Sequence, residues 1–484
     1  MCLIFLLPLF SGCAVDPITK NRTVVLMSES EEIGIGRQMD PQIIEQYGLY
    51  DDLRLQEYVN TVGKKVSAIS HRPELVFHFK VVDSPVVNAF ALPGGYIYVT
   101  RGILAWMNSE AELASVLGHE IGHVTSRHAV KQITKVRGYQ ILSTLGAIFS
   151  PQYRTAQEQF GDFFNILFTG IMQGYGRSNE FQADSLGIEY AHKAGYDPSA
   201  AVSFMKTLNR LEEKPDNERD FFERLFASHP PTSERIERNE EQSHQLPSSH
   251  TELIIRHSNE YKLRINGLLY GYKPGEGIID GNLFKHKLLR FEMAFPQGWK
   301  IMNEKTKVIA KDPHVDHVIQ LTHSDLSKNV SPQVFAQNMV QKSGLKLITG
   351  KPTTINSLEA FEGTAEGYIR SMGTISVKLA FIFMGNKAYH LIAWAPKEEF
   401  PTVEDIFKKT LSSFRPLSIS EAERIKGQRI KVYKIKKGDS LASIARKELG
   451  KAGKANDIAK LNGLEPTDPL REGDLLKIIT SKVD

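Results

Sequence analysis

At 484 residues, with 41% hydrophobic residues, the chain is long enough for about three domains, and a formal charge of only +4 argues against nucleic acid as a partner. Beyond the first residues, no run reaches the roughly 18 apolar positions of a membrane helix. The only cysteines are Cys2 and Cys13, which excludes a disulfide framework.

Met1 to Phe10 is almost wholly apolar, too short to cross a bilayer as a helix, and runs into Ser11-Gly12-Cys13. Residues 1–13 resemble a bacterial lipoprotein signal, although no basic residue precedes the apolar run and Phe10 stands where a smaller aliphatic residue is usual. The resemblance implies lipidation of Cys13 and, because Ala14 follows it, a place on the periplasmic face of the outer membrane of a Gram-negative bacterium. Cys2 would then be removed. An uncleaved apolar tail or a non-lipid secretory signal is the alternative.

Leu75, Phe77, Phe79 and Val81 alternate with Val76, His78, Lys80 and Val82, which predicts a strand; Tyr96-Ile97-Tyr98-Val99 predicts a second one after Pro93-Gly94-Gly95. Ser109 with Glu112 reads as a capping box, and Leu113, Val116, Leu117 and Ile121 follow at helical spacing. Inside that helix stands His119-Glu120-Ile121-Gly122-His123. Imidazoles at i and i+4 share one helix face, roughly 5 to 6 Å apart at Cβ, so both can bind one Zn2+ while Glu120 reaches a water on it. Gly118 and Gly122 each cost about 1 kcal/mol against Ala in a helix, which predicts close backbone packing beneath the site, simple tolerance being the alternative.

Catalytic zinc keeps three protein ligands and one open position, so a third ligand must come from elsewhere. The metzincin pattern would need Gly at 126 and His at 129, where the chain has Ser126 and Ala129; His128 misses the spacing. In Ser178 to Asp184, Glu180 and Asp184 again lie at i and i+4 on a predicted helix. Glu180 is the candidate third ligand, and Asp184 the acceptor for the second ring N–H of a ligating histidine. A solvated acidic face is the alternative. Ile141 to Phe149 and Phe163 to Met172 read as amphipathic helices or a loop covering the cleft.

Together, His119 to His123, Asn179-Glu180 to Ala183-Asp184, and Asn88-Ala89-Phe90-Ala91-Leu92-Pro93-Gly94-Gly95 resemble the zinc metallopeptidase family that includes the HtpX-type quality-control proteases and the CAAX prenyl proteases, more closely its soluble periplasmic branch. The resemblance covers about residues 14–270. It implies an α+β domain, mainly helical and zincin-like with a small β-sheet, holding one Zn2+ on His119, His123 and Glu180 in a gluzincin-like set, with Glu120 as general base. Asn88, Ala89, Phe90 and Ala91 become the edge strand against which an extended peptide lies. Ser228-His229-Pro230-Pro231 to Arg235 resembles the family's H-P-x-x-x-x-R element, which implies that Arg235 lies near the active site. His229 then either donates to the oxyanion or binds zinc at rest, displacing the water; Pro230-Pro231 merely ending a helix is the alternative. The function implied is a zinc metalloendopeptidase acting on misfolded or unassembled envelope proteins. The alternative is an envelope chaperone or wall-anchored scaffold with a latent or structural zinc site.

Glu212 to Arg224 and Glu234 to Glu241 read as solvated helix faces. Residues 271–285 read as a linker out of the catalytic domain. Residues 286–416 form a second α+β domain of unassigned function, with strands at Arg290 to Phe295 and Val377 to Phe383, a Gly385-Asn386 turn into Ala388 to Trp394, and a closing helix at Val403 to Phe414. His314, His317, His323 and His390 complete no ligand set there. After a second linker at 417–430, residues 431–480 resemble a LysM module, strand, two short helices and strand. This implies peptidoglycan binding through N-acetylglucosamine, in a groove formed by Gly438, Asp439, Ser440, Leu441, Asn462, Gly463 and Leu464. An interaction module without glycan affinity is the alternative.

Overall fold

The computed structural model describes residues 13–15, 18, 22–24, 27–134, 167–212, 219–246, 256–326 and 330–481. The apolar segment before Cys13, the Cys13 side chain, Ile141 to Phe149 and the start of Phe163 to Met172 lie outside them. No helix among the described residues is long and apolar enough to cross a membrane. The chain divides into two units, residues 1–270 with 428–484, and residues 271–427.

In the first unit, helix Leu53–Ser67 starts at Asp52, whose carboxylate accepts the Arg54 and Leu55 amides. Leu55, Val59, Val62 and Val66 recur on one face of it and are buried together with Phe77, Phe79, Ile97 and Val99 of the small sheet. That sheet has His78–Val82 parallel to Tyr96–Thr100, and Ala89–Leu92 antiparallel on the other side of Tyr96–Thr100, so Ala89–Leu92 is an edge strand. Helix Glu110–Thr125 follows. Ser109 caps it by accepting the Glu112 amide, but the Glu112 carboxylate reaches back one residue further than a capping box requires and accepts the Asn108 amide at 2.6 Å. The expected box is therefore half formed.

Helix Arg177–Lys193 packs across Glu110–Thr125, and the glycines explain how closely. A Cβ on Gly118 would sit 2.8 Å from the Gly187 carbonyl oxygen, and one on Gly187 would sit 2.7 Å from the His119 amide. Both contacts are with backbone, which cannot swing aside. Gly187→Ala is therefore expected to force the helices apart and cost about 1–3 kcal/mol. A chemical denaturation midpoint equal to the parent's would refute this account of the crossing.

Thr125 ends the metal-helix segment, and Arg127 turns the chain with φ of 54° before a further helix over 128–134. The Arg127 side chain binds Glu32, which is almost fully buried and also paired with Arg72 at 3.0 Å. This ties helix Glu29–Tyr47 to the end of the metal helix. A short helix over 167–172 covers the edge strand, Phe168 packing edge-on to Phe90.

The LysM portion belongs to the same unit. Strand Gln428–Lys434 pairs with Leu475–Thr480 on one side and with Leu269–Tyr270 on the other, so the module's sheet is continuous with the end of the peptidase region. Helices Leu441–Leu449 and Ala455–Leu461 complete the βααβ order. Ile430 and Leu461 join the core that contains Leu113 and Leu117 of the metal helix. Lys477, with no exposed surface, donates from Nζ to the Ala105 and Met107 carbonyls at 2.7 and 2.6 Å. Residues 417–430 are thus not simply a linker, since helix Ile419–Glu423 and the start of this strand lie in them.

The second unit is built on a seven-stranded antiparallel sheet running from Lys300–Asn303 at one edge to Lys346–Ile355 at the other. In its strand Gly373–Met384, Val377, Leu379 and Phe381 face helix Pro332–Lys342, while Ala380 and Ile382 face helix Phe400–Ser412. Both faces are covered, which is why that strand reads as an unbroken apolar run. The expected linker at 271–285 carries strand Ile278–Asp280 and the start of Leu283–His286, parts of a four-stranded sheet. Its glycines mark tight turns between short strands.

Candidate metal centre

Helical periodicity brings His119 and His123 together, with their Nε2 atoms 3.0 Å apart. The packed helix adds Glu180, one oxygen 3.3 Å from His123 Nε2 and the other 3.6 Å from His119 Nε2. His229, at the end of helix Arg219–Ser228, brings Nδ1 to 2.9 Å from Glu180 and 3.3 Å from His119 Nε2. Four donors about 2.0–2.1 Å from a tetrahedral zinc stand about 3.3 Å from one another, and the measured separations of 2.9 to 3.6 Å cluster around that value. Glu180 Oε1 is buried without a hydrogen-bond partner, which is costly unless a cation takes it up. The residues fit zinc, and they form the one such group of donors among the described residues.

Partners behind the donors fix their orientation. Asp184 accepts from His119 Nδ1 at 2.9 Å and is itself gripped by Arg235, whose Nε and Nη2 each lie 2.7 Å from its carboxylate. Arg235 also approaches Glu180 at 3.2 Å. Its guanidinium therefore holds two carboxylates in place. Expected among the catalytic groups, Arg235 reaches none of the reacting positions and acts by positioning.

Electrostatics follow from burial. Burial pushes the Glu120 carboxyl up, partly opposed by His229 and His119. Burial also works against ionised Glu180 and Asp184, yet His229 and His123 hold Glu180 well below the usual carboxylate range, and Arg235 holds Asp184 below it. Burial keeps His123 well below its ordinary value, hence neutral and available as a ligand. His229 differs: burial disfavours its cation, but Glu180 and Glu120 more than reverse this and raise it.

His128 is the partner that sequence spacing missed. Its Nδ1 lies 2.8 Å from His123 Nδ1, and its Nε2 lies 3.0 Å from Gln182 Oε1. With His123 Nε2 facing the donors, the proton sits on His123 Nδ1 and is donated to His128, which donates in turn to Gln182. The turn at Arg127 swings His128 back to the site, so its position five residues after His123 is no obstacle. His128→Ala is expected to weaken zinc binding about 10- to 100-fold, measured by chelator competition. An affinity within twofold of the parent's would remove His128 from the account.

Beside Glu120 opens a largely apolar cavity walled by Val116, Ile188, Phe204, Leu208 and Leu225, with His119 and His229 at its rim. The Asn88 to Ala91 strand lies at the sheet edge but is buried, and the Asn88 side-chain oxygen has no partner. In the LysM module, Leu441 is buried in the core and the Asn462 amide is committed to both backbone groups of Lys477, at 2.8 Å each. Asp439 accepts from Tyr433 and the Lys436 amide, and Ser440 caps a helix. The Leu441 side chain and the Asn462 amide are thus corrected from ligand contacts to structural parts. Gly438 lies on the exposed turn, Gly463 gives its carbonyl to Arg210, and Leu464 packs on the module core. In the second unit, His317 pairs with Glu399 and His390 with Ser324.

Residues 53–243 match the sequence model of peptidase family M48, and residues 433–478 that of the LysM domain. The chain is 30% identical to a β-barrel assembly-enhancing protease of Yersinia pestis over 46% of its own length and 45% of that protein's. To the protein of that name in Escherichia coli (strain K12) it is 25% identical, covering 53% of this chain and 52% of the relative. It is 28% identical to the mitochondrial metalloendopeptidase OMA1 of Schizosaccharomyces pombe, over 48% of this chain and 67% of that one. The chain thus spans about half the length of the β-barrel assembly-enhancing proteases it matches.

Proposed function

We propose that this chain, a member of peptidase family M48 through residues 53–243, is a zinc endopeptidase that cleaves misfolded or unassembled proteins of the bacterial envelope. The observation carrying this reading is the donor group of His119, His123, Glu180 and His229 with buried Glu120 next to it, its Oε1 3.8 Å from His229 Nε2. Bound there, zinc supplies Lewis acidity, polarising a peptide carbonyl and acidifying water. Glu120 takes the proton from the attacking water and passes it to the leaving amine, and its burial raises its affinity for that proton. Asp184 and Arg235 hold His119 and Glu180 in register, and the apolar cavity beside Glu120 receives a side chain next to the scissile bond. A peptide added to the Ala89–Leu92 edge would be held by backbone hydrogen bonds with little sequence demand, which suits unfolded clients. Lipidation of Cys13 and glycan binding by the LysM module would keep the enzyme between outer membrane and wall; the names of the relatives fit that setting.

A second reading has its own support. His229 gives the site four protein donors, the closed set of a structural zinc, whereas catalytic zinc keeps a position open. On this reading the chain is a chaperone or scaffold with a latent centre. Zinc-loaded protein incubated with reduced, unfolded casein separates the two. Cleavage that stops on chelation and returns with zinc is expected, and His229→Ala should increase it if His229 restrains the enzyme. Full zinc occupancy without cleavage, in both the parent and His229→Ala, would leave the scaffold reading standing.

A further inference from the structure

Between the LysM module and the start of the metal helix lies a cavity of about 890 Å³. That is within the size range of small-molecule sites, roughly 300–1,000 Å³. Its walls come from both sides: Ser109 and Glu112 open the metal helix, Ser258 and Lys262 lie on helix Ser258–Arg264, and Leu470 and Asp474 belong to the module. Lys262 ties the two walls together by donating to the Leu475 carbonyl at 2.8 Å, and Asn259 accepts the Leu475 amide.

The lining selects a chemical class. Its charges balance, Glu112, Glu260 and Asp474 against Arg256, Lys262 and Arg471, so neither an anion nor a cation is favoured. Ser109, Thr207 and Ser258 present hydroxyls, and Leu464, Pro469 and Leu470 supply apolar surface between them. Asn108, also on the wall, has its side-chain oxygen buried without a hydrogen-bond partner. That oxygen requires an N–H or O–H donor. By contrast, the Asp439 carboxylate and the Asn462 amide are engaged inside the module.

From this lining we infer that the cavity binds a neutral saccharide bearing N-acetyl groups, gripped jointly by the LysM module and the peptidase region. The inference rests on the reading of the module as a glycan binder and moves the site from the exposed loop to the seam. Bound there, the sugar touches Ser109 and Glu112 in the cap and first turn of the helix that carries His119 and His123.

Calorimetric titration of the full chain with an N-acetylglucosamine tetramer tests the placement. Asn108→Ala removes the orphan acceptor, and Ser258→Trp fills the cavity from the peptidase side. Each is expected to weaken binding about tenfold or more, the loss of one or two buried hydrogen bonds. Lys437→Trp, in the exposed loop, is expected to bind as the parent does, and unfolding temperatures identify any variant that has lost its fold. Parent-like affinity in both folded seam variants, with loss in Lys437→Trp, would overturn the seam site and leave glycan binding intact. No binding by the parent at millimolar tetramer would overturn both.

Discussion

Glu120→Gln is expected to bind zinc with parental stoichiometry and to hydrolyse unfolded protein about 10²- to 10⁴-fold more slowly, the usual contribution of general acid–base catalysis. The asymmetry arises because Glu120 does not belong to the donor group, although it sits between two residues of that helix that frame it. Gln preserves the shape of the side chain in a space with only 2% exposure, so packing should hardly change. What Gln cannot do is accept a proton. Metal content by atomic absorption and turnover on casein are the two measurements. Equal turnover in parent and variant would exclude Glu120 as the base, and loss of zinc together with activity would show that it had been holding the site together.

Arg235→Ala should be the most destabilising single change at the centre. Asp184 is 5% exposed and takes two short hydrogen bonds from the guanidinium. Removing Arg235 strands that carboxylate, and breaking one side of a buried pair typically costs about 3–5 kcal/mol. The double variant Asp184→Leu with Arg235→Met removes both charges and should recover much of that stability. Zinc affinity should stay low in it, because His119 Nδ1 has lost its acceptor. Denaturant unfolding and chelator competition separate the two effects. If the double variant were no more stable than Arg235→Ala alone, the stranded charge would not be the cause.

The parts of the site that could be read from sequence are those set by helix geometry. His119, Glu120 and His123 share one turn and a neighbour, and Glu180 and Asp184 repeat the spacing on a second helix, so local rules sufficed. His128 escaped because the rule of i and i+4 assumes an unbroken helix, and Arg127 breaks it. The cost of Gly118 was visible, but its reason was not, since the surface it meets is Gly187, far along the chain. Residues 271–285 misled for a related reason: glycines that end short strands look, in composition, like those of a tether. Lys477 was the least readable of all. A lysine within Leu475-Leu476-Lys477-Ile478-Ile479 resembles an ordinary outward-facing position, and only the carbonyls of Ala105 and Met107 explain why it points in.

The same lysine sets an order of events in time. The Met107 carbonyl leaves the ribosome 370 residues before the ammonium group that pairs with it. At about 5–20 residues per second, that interval is on the order of 20 to 70 s. During synthesis the metal helix is therefore present long before its root is secured, and the strand that secures it is among the last pieces to arrive. A peptidase assembled in this sequence completes the foundation of its own active helix only after nearly all of the chain has been made.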